Sequence, residues 1–168
     1  GTGKTTLIAA ISNTLHQYKI KTQVLAPTGR AAKVAQAYSG QKASTIHKHI
    51  YGLSSEMGIA RFMLKSNTAK RTVYIVDESS MIGNEQNIAG NGLLQDLLSF
   101  VFEGEQCALV FVGDIAQLPP VGEKVSAALS KNRLASYFGV DAIQIEMGEV
   151  VRQQSESQIL ENATHLRQ

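Results

Sequence analysis

Three short runs hold residue types whose order suits work on a nucleoside triphosphate. The first is GTGKTT, Gly1 to Thr6. Gly1 and Gly3 let a backbone close on an anion, Lys4 reaches terminal phosphates, and the Thr5 hydroxyl can ligate Mg²⁺ where a helix starts. Gly3-Lys4-Thr5 matches the end of G-x-x-x-x-G-K-[ST], so the first glycine of that motif would fall three residues before Gly1. Taken alone, the run also fits a glycine turn that opens a helix.

The second run, VYIVDESSM, sets Asp77 and Glu78 at the end of an apolar strand. Asp77 is suited to hold Mg²⁺, and Glu78 to orient or deprotonate an attacking water. A solvated pair closing a strand is the plainer alternative. The third, FVGDIAQLPPVGEK, carries Asp114, then Gln117 and a stiff Pro119-Pro120 step. A neutral amide such as Gln117 can sense a γ-phosphate.

These runs need a scaffold that brings strand ends together. Leu7, Ile8, Ile11 and Leu15 share one face of a helix predicted over Thr5 to Tyr18. KTQVLAP reads as a buried strand ended by Pro27, and Thr28 as the cap of a helix through RAAKVAQAY. TVYIVDE and CALVFVGD are apolar runs of the kind found in parallel strands covered on both faces. Leu93, Leu94, Leu97, Leu98 and Val101 mark a helix between them, and AIQIE a later strand. Ser155 with Gln158 opens a last helix bearing Ile159, Leu160, Ala163 and Leu166. Alternating strands and helices predict an α/β domain with a mostly parallel sheet. Residues 52–72 fit neither period and are read as an insertion forming a small hairpin.

Composition agrees with one domain over 1–168: 43% apolar and 18% charged residues suit an ordinary globular protein. No apolar run is long enough to span a membrane, and the N-terminus lacks a signal-peptide layout. With Cys107 alone, no disulfide framework is available, and a cytoplasmic setting is expected. Residues 1–76 carry eleven Lys or Arg against one acid, while residues 77–168 carry five against thirteen. That asymmetry fits a basic face for a polyanion, or two halves that folding intermixes.

GTGKTT, VLAPTGRAAKVA, STIHKHI, IVDESSM, VGDIAQLPPVG and EVVRQ, in this order, resemble the motifs of RecD-like DNA helicases, in the 5′→3′ branch of helicase superfamily 1. The resemblance implies the first of two RecA-like motor domains that bind ATP and Mg²⁺ between them. It implies that Gly1, Thr2, Gly3, Lys4, Thr5 and Thr6 bind phosphates, with Thr5 and Asp77 on Mg²⁺. Glu78 would be the general base, Gln117 the γ-phosphate sensor, and Arg152 an arginine reaching the same phosphate. Pro27, Thr28, Gly29, Arg30 and Lys33 would grip the phosphates of single-stranded DNA, joined by Thr45 and His47. The 52–72 insertion sits where relatives carry a strand-separating pin.

On the same resemblance, the strand feeding the phosphate loop and the second RecA-like domain with its arginine finger lie outside this sequence. These residues by themselves are therefore expected to bind ATP weakly, to self-associate, and to be nearly inactive. The expected partners are single-stranded DNA, single-strand/duplex junctions and the second motor domain, with no membrane. An RNA-translocating superfamily 1 relative and a nucleotide-gated strand-binding module without unwinding remain the alternative readings.

Overall fold

Apolar residues at 24–26 and 73–76 become the two inner strands of a four-stranded parallel sheet, whose strands lie in the order 43–45, 21–26, 72–76 and 108–111. The computed structural model describes residues 3–56, 59–83, 92–117, 119–120 and 122–147. In chain order these form α1 (Lys4–Gln17), β1 (Lys21–Ala26), α2 (Gly29–Ser39), β2 (Ala43–Thr45), α3 (Ile46–Ile50), β3 (Tyr51–Glu56) and β4 (Ile59–Leu64). Then come β5 (Thr72–Val76), α4 (Leu93–Glu103), β6 (Ala108–Phe111) and α5 (Lys131–Phe138). The sheet is the α/β arrangement that the alternating pattern predicts.

Strand alternation distributes the core over both faces. Val24, Ile75 and Val112 pack with Ile8 of α1 and Ala35 of α2 on one side. Leu25, Tyr74 and Val76 face Ile46 and Ile50 of α3 and Leu94, Leu97 and Val101 of α4 on the other. Register pairs Val24 with Ile75, and Ile75 with Val110. All four strands therefore point their carboxyl ends the same way, toward the loops that carry Thr28, Asp77 and Asp114.

Local signals set the helix ends. Thr28 accepts a hydrogen bond from the Ala31 amide at 3.2 Å, capping α2, and Gly40 closes that helix with φ 65°. Thr45 does the same for α3 through the Lys48 amide at 3.2 Å. Lys65 donates to the Lys48 and His49 carbonyls at 3.0 Å each, satisfying the other end of α3.

The expected insertion is an antiparallel hairpin, β3 with β4, pairing Tyr51 with Leu64 through to Glu56 with Ile59. It occupies 51–64, and 65–71 connects it to β5. AIQIE is not a strand: Ile143 and Ile145 are 92% and 84% exposed, and no strand among the described residues lies alongside. An alternating run needs a neighbouring edge before its apolar face gains from burial. β6 is covered less fully than its sequence suggests, because it forms the margin of the described sheet. Leu7 also turns outward from the α1 core face. The helix expected after Ser155 lies outside the described residues.

Candidate functional site

Gly3 takes the left-handed conformation, φ 77°, immediately before α1, and lets the chain turn sharply into the helix. Gly3 has no side chain to cap this N-terminus, so among the described residues its first amides and the positive end of the helix dipole, which favour an anion, have no side-chain cap. Lys4 begins the helix, and its ammonium lies 3.3 Å from the Asp114 carboxylate. That contact joins the phosphate-type loop to the loop after β6.

Asp77 follows β5 directly, with its amide bonded to the Leu25 carbonyl at 2.9 Å. Its side chain is buried, and one carboxylate oxygen accepts the Glu78 amide at 2.9 Å. Burial pushes the Asp77 carboxyl above its ordinary range, while the Glu78 amide and the Lys4 charge oppose that rise. Glu78 itself sits in the left-handed region, φ 53°, a strained turn directly after Asp77. Burial first, then the Asp77 charge, raise the Glu78 carboxyl; Lys4 and a hydrogen bond from Gln117 pull it down, and Asp114 adds to the rise.

Gln117 is held from two sides. Ser80 donates its hydroxyl to the Gln117 amide oxygen at 3.2 Å, and the Gln117 side chain bonds Glu78. The loop that carries it is a tight turn: Asp114 accepts the Ala116 amide on its side chain at 3.0 Å and the Gln117 amide on its carbonyl at 3.1 Å. Lys4, Asp77, Glu78 and Gln117 are thus brought into one electrostatic neighbourhood. Asp114 and Ser80 complete it. The sequence reading assigned neither a role, although Asp114 closes an apolar run and Ser80 follows the acid pair by two residues.

Thr5 is half-buried and Thr6 exposed in the first turn of α1. With Asp77, Thr5 offers one hydroxyl and one carboxylate, the sparse hard-oxygen set that suits Mg²⁺, an ion that keeps water and phosphate oxygens as its other ligands. Gly1, Thr2 and Arg152 lie outside the described residues.

The proposed strand-gripping residues occupy the same edge of the sheet. Ala26 pairs with Thr45 across β1 and β2, so the amino ends of α2 and α3 emerge side by side. Thr28, Gly29, Arg30 and Lys33 are exposed there, Pro27 and Thr45 are half-buried, and His47 is exposed with its ring 5.6 Å from that of Tyr51. Both threonine hydroxyls accept an amide within their own helix and keep their protons to donate. The basic and acidic halves of the sequence meet in part: Lys4 pairs with Asp114, and Lys70 with Glu105.

A parallel sheet whose carboxyl edge gathers a phosphate-type loop, adjacent acids and a tethered amide defines a RecA-like P-loop domain. Comparison with known families agrees: a family described as AAA domain matches residues 1–168, and the chain belongs to it. The ATP-dependent RecD2 DNA helicase of Deinococcus radiodurans is 33% identical over 164 residues, 97% of this chain and 20% of that protein. An uncharacterized protein of Methanocaldococcus jannaschii is 34% identical over 134 residues, 73% of this chain and 11% of that protein. The domain is therefore RecD-like, and it spans a fifth or less of the length of these relatives.

Proposed function

We propose that this chain is the ATP-binding motor domain of a DNA helicase, coupling ATP hydrolysis to 5′→3′ movement along single-stranded DNA and to duplex unwinding. The observation that carries the reading is the convergence of Lys4, Asp77, Glu78 and Gln117 at one edge of the sheet. The likeness to a protein named a RecD2 DNA helicase supports it.

ATP with Mg²⁺ supplies the phosphoryl group and the charge neutralisation that its transfer needs. Gly1, Thr2, Gly3, Lys4, Thr5 and Thr6 bind the phosphates, and Thr5 and Asp77 hold the cation. Glu78 takes the proton of the attacking water; its raised carboxyl pKa makes it a stronger base than an ordinary glutamate. Gln117, hydrogen-bonded to Glu78, orients that base and reads the terminal phosphate. Arg152 reaches the same phosphate. Pro27, Thr28, Gly29, Arg30, Lys33, Thr45 and His47 hold the strand, mainly through its backbone phosphates. A second RecA-like domain closes over the nucleotide, and alternating grip advances the motor in a soluble, cytoplasmic setting.

The test is ATP turnover by the full-length protein with single-stranded DNA or RNA, alongside displacement of a labelled duplex. DNA-stimulated turnover with displacement, both lost in Lys4→Ala, is the expected result. Preferential stimulation by RNA would move the protein to the RNA-translocating branch. Strand binding without displacement would make it a nucleotide-gated binding module, and no turnover would end the motor reading.

A further inference from the structure

We infer that Asp114 is a positioning residue that opposes phosphate binding at Lys4 and thereby sets the nucleotide affinity of this site. The inference rests on the proposed nucleotide-binding reading. Its observation is the ion pair between Lys4 Nζ and Asp114 Oδ2 at 3.3 Å, with both side chains mostly buried at 19% and 22% exposure. A pair so shielded is screened less than a surface pair. An ammonium has three donors, but only one charge to share. A terminal phosphate drawing on Lys4 must weaken the Asp114 contact, or bind beside a carboxylate that repels it.

The second oxygen of Asp114 ties this competition to the rest of the site. Oδ1 accepts the Ala116 amide at 3.0 Å and so shapes the turn that presents Gln117. Gln117 in turn contacts Ser80 and Glu78. One carboxylate therefore faces the lysine with one oxygen and fixes the amide-bearing turn with the other. A change in the partner of Lys4 is transmitted through the Asp114 side chain to the turn beside the general base.

Asp114→Asn separates the two roles: it removes the charge and keeps an oxygen for the Ala116 amide. Asp114→Ala removes both. Equilibrium titration of the full-length protein with Mg·ATP is expected to show about three- to tenfold tighter binding for Asp114→Asn. The KM for ATP is expected to fall with it, while kcat falls sharply only in Asp114→Ala, where the turn loses its acceptor. A purely structural role would leave KM unchanged or raise it in both variants, and that result overturns the inference. If Asp114→Asn does not fold, as judged by its thermal transition, Asp114→Ser tests the same point, since it too keeps a short oxygen acceptor. Failure of the wild-type protein to bind millimolar Mg·ATP overturns the nucleotide reading and this inference with it. Binding by the wild type with no gain in the variant overturns the inference alone.

Discussion

The phenol of Tyr51 donates a 2.7 Å hydrogen bond to the Asp96 carboxylate across 45 residues of sequence. It ties the base of the β3–β4 hairpin to α4, and the two residues are only 8% and 3% exposed. Burial, then the Asp96 contact, push the Tyr51 phenol well above its ordinary range, so it stays a donor at any pH near neutral. Tyr51→Phe keeps the ring and deletes this bond. Hydrogen bonds to charged groups are worth about 1.5–3 kcal/mol, and the urea midpoint is expected to fall accordingly with an unchanged slope. A midpoint equal to that of the wild type would mean the contact contributes nothing to the fold.

Gly113, one residue before Asp114, is fixed by crowding. A Cβ there would lie 2.7 Å from a Leu129 methyl and 3.0 Å from the Ser80 backbone nitrogen. Overpacking of this kind costs about 1–3 kcal/mol. Because the displaced atoms belong to Ser80 and lead into Asp114, Gly113→Ala is expected to lower ATP turnover by more than its stability loss explains. Parallel calorimetric unfolding and steady-state turnover check this, and a stable variant with full turnover contradicts it.

Glu78 gives a pH-dependent expectation. Its carboxyl pKa in the fold lies above the ordinary glutamate value of 4.5, chiefly through burial and then through Asp77. A raised folded pKa means that the protonated form favours the fold. That contribution is complete below the unfolded pKa and is lost as pH climbs through the folded one. At neutral pH the ionised Glu78 thus weighs against the fold, and Glu78→Gln is expected to raise Tm there. The gain should shrink as pH falls toward 4.5 and below. Turnover is expected to drop about 10²–10⁴-fold in the same variant. A gain in Tm that is flat with pH would assign it to packing instead.

Much of this arrangement was legible because burial on both faces leaves a plain mark. Val73 to Val76, closed by Asp77, spells an inner strand, and Thr28 after Pro27 spells a helix start. The hairpin was harder: Leu53, Phe62 and Met63 are exposed, so its alternation has no core to report. α5 went unread, although Ser130 caps it through the Arg133 amide at 3.4 Å and Gly139 closes it at φ 65°. The pattern in AIQIE misled because alternation specifies a face and not the neighbour that would pair with it.

Within the site, the lysine, acids and amide were legible as types at strand ends. Their partners were not. Ser80 against Gln117 and Asp114 against Lys4 join segments 37 and 110 residues apart, and a hydrogen bond at that separation leaves no periodic trace. Lys65 and Lys70 show the converse: cations of the basic half of the sequence, they serve the carbonyls of α3 and the Glu105 carboxylate.

Cys107 is the only thiol in the sequence, and it sits half-exposed just before β6. β6 runs from there toward the loop of Asp114, so the sulfur is set back from the candidate site by the length of a strand, roughly 13 Å. Maleimide chemistry at this sulfur would place a fluorophore at the end of β6 opposite the Asp114 loop. Paired with a dye placed elsewhere in the full-length protein, it would test the proposed closure of a second domain as a distance change read one molecule at a time.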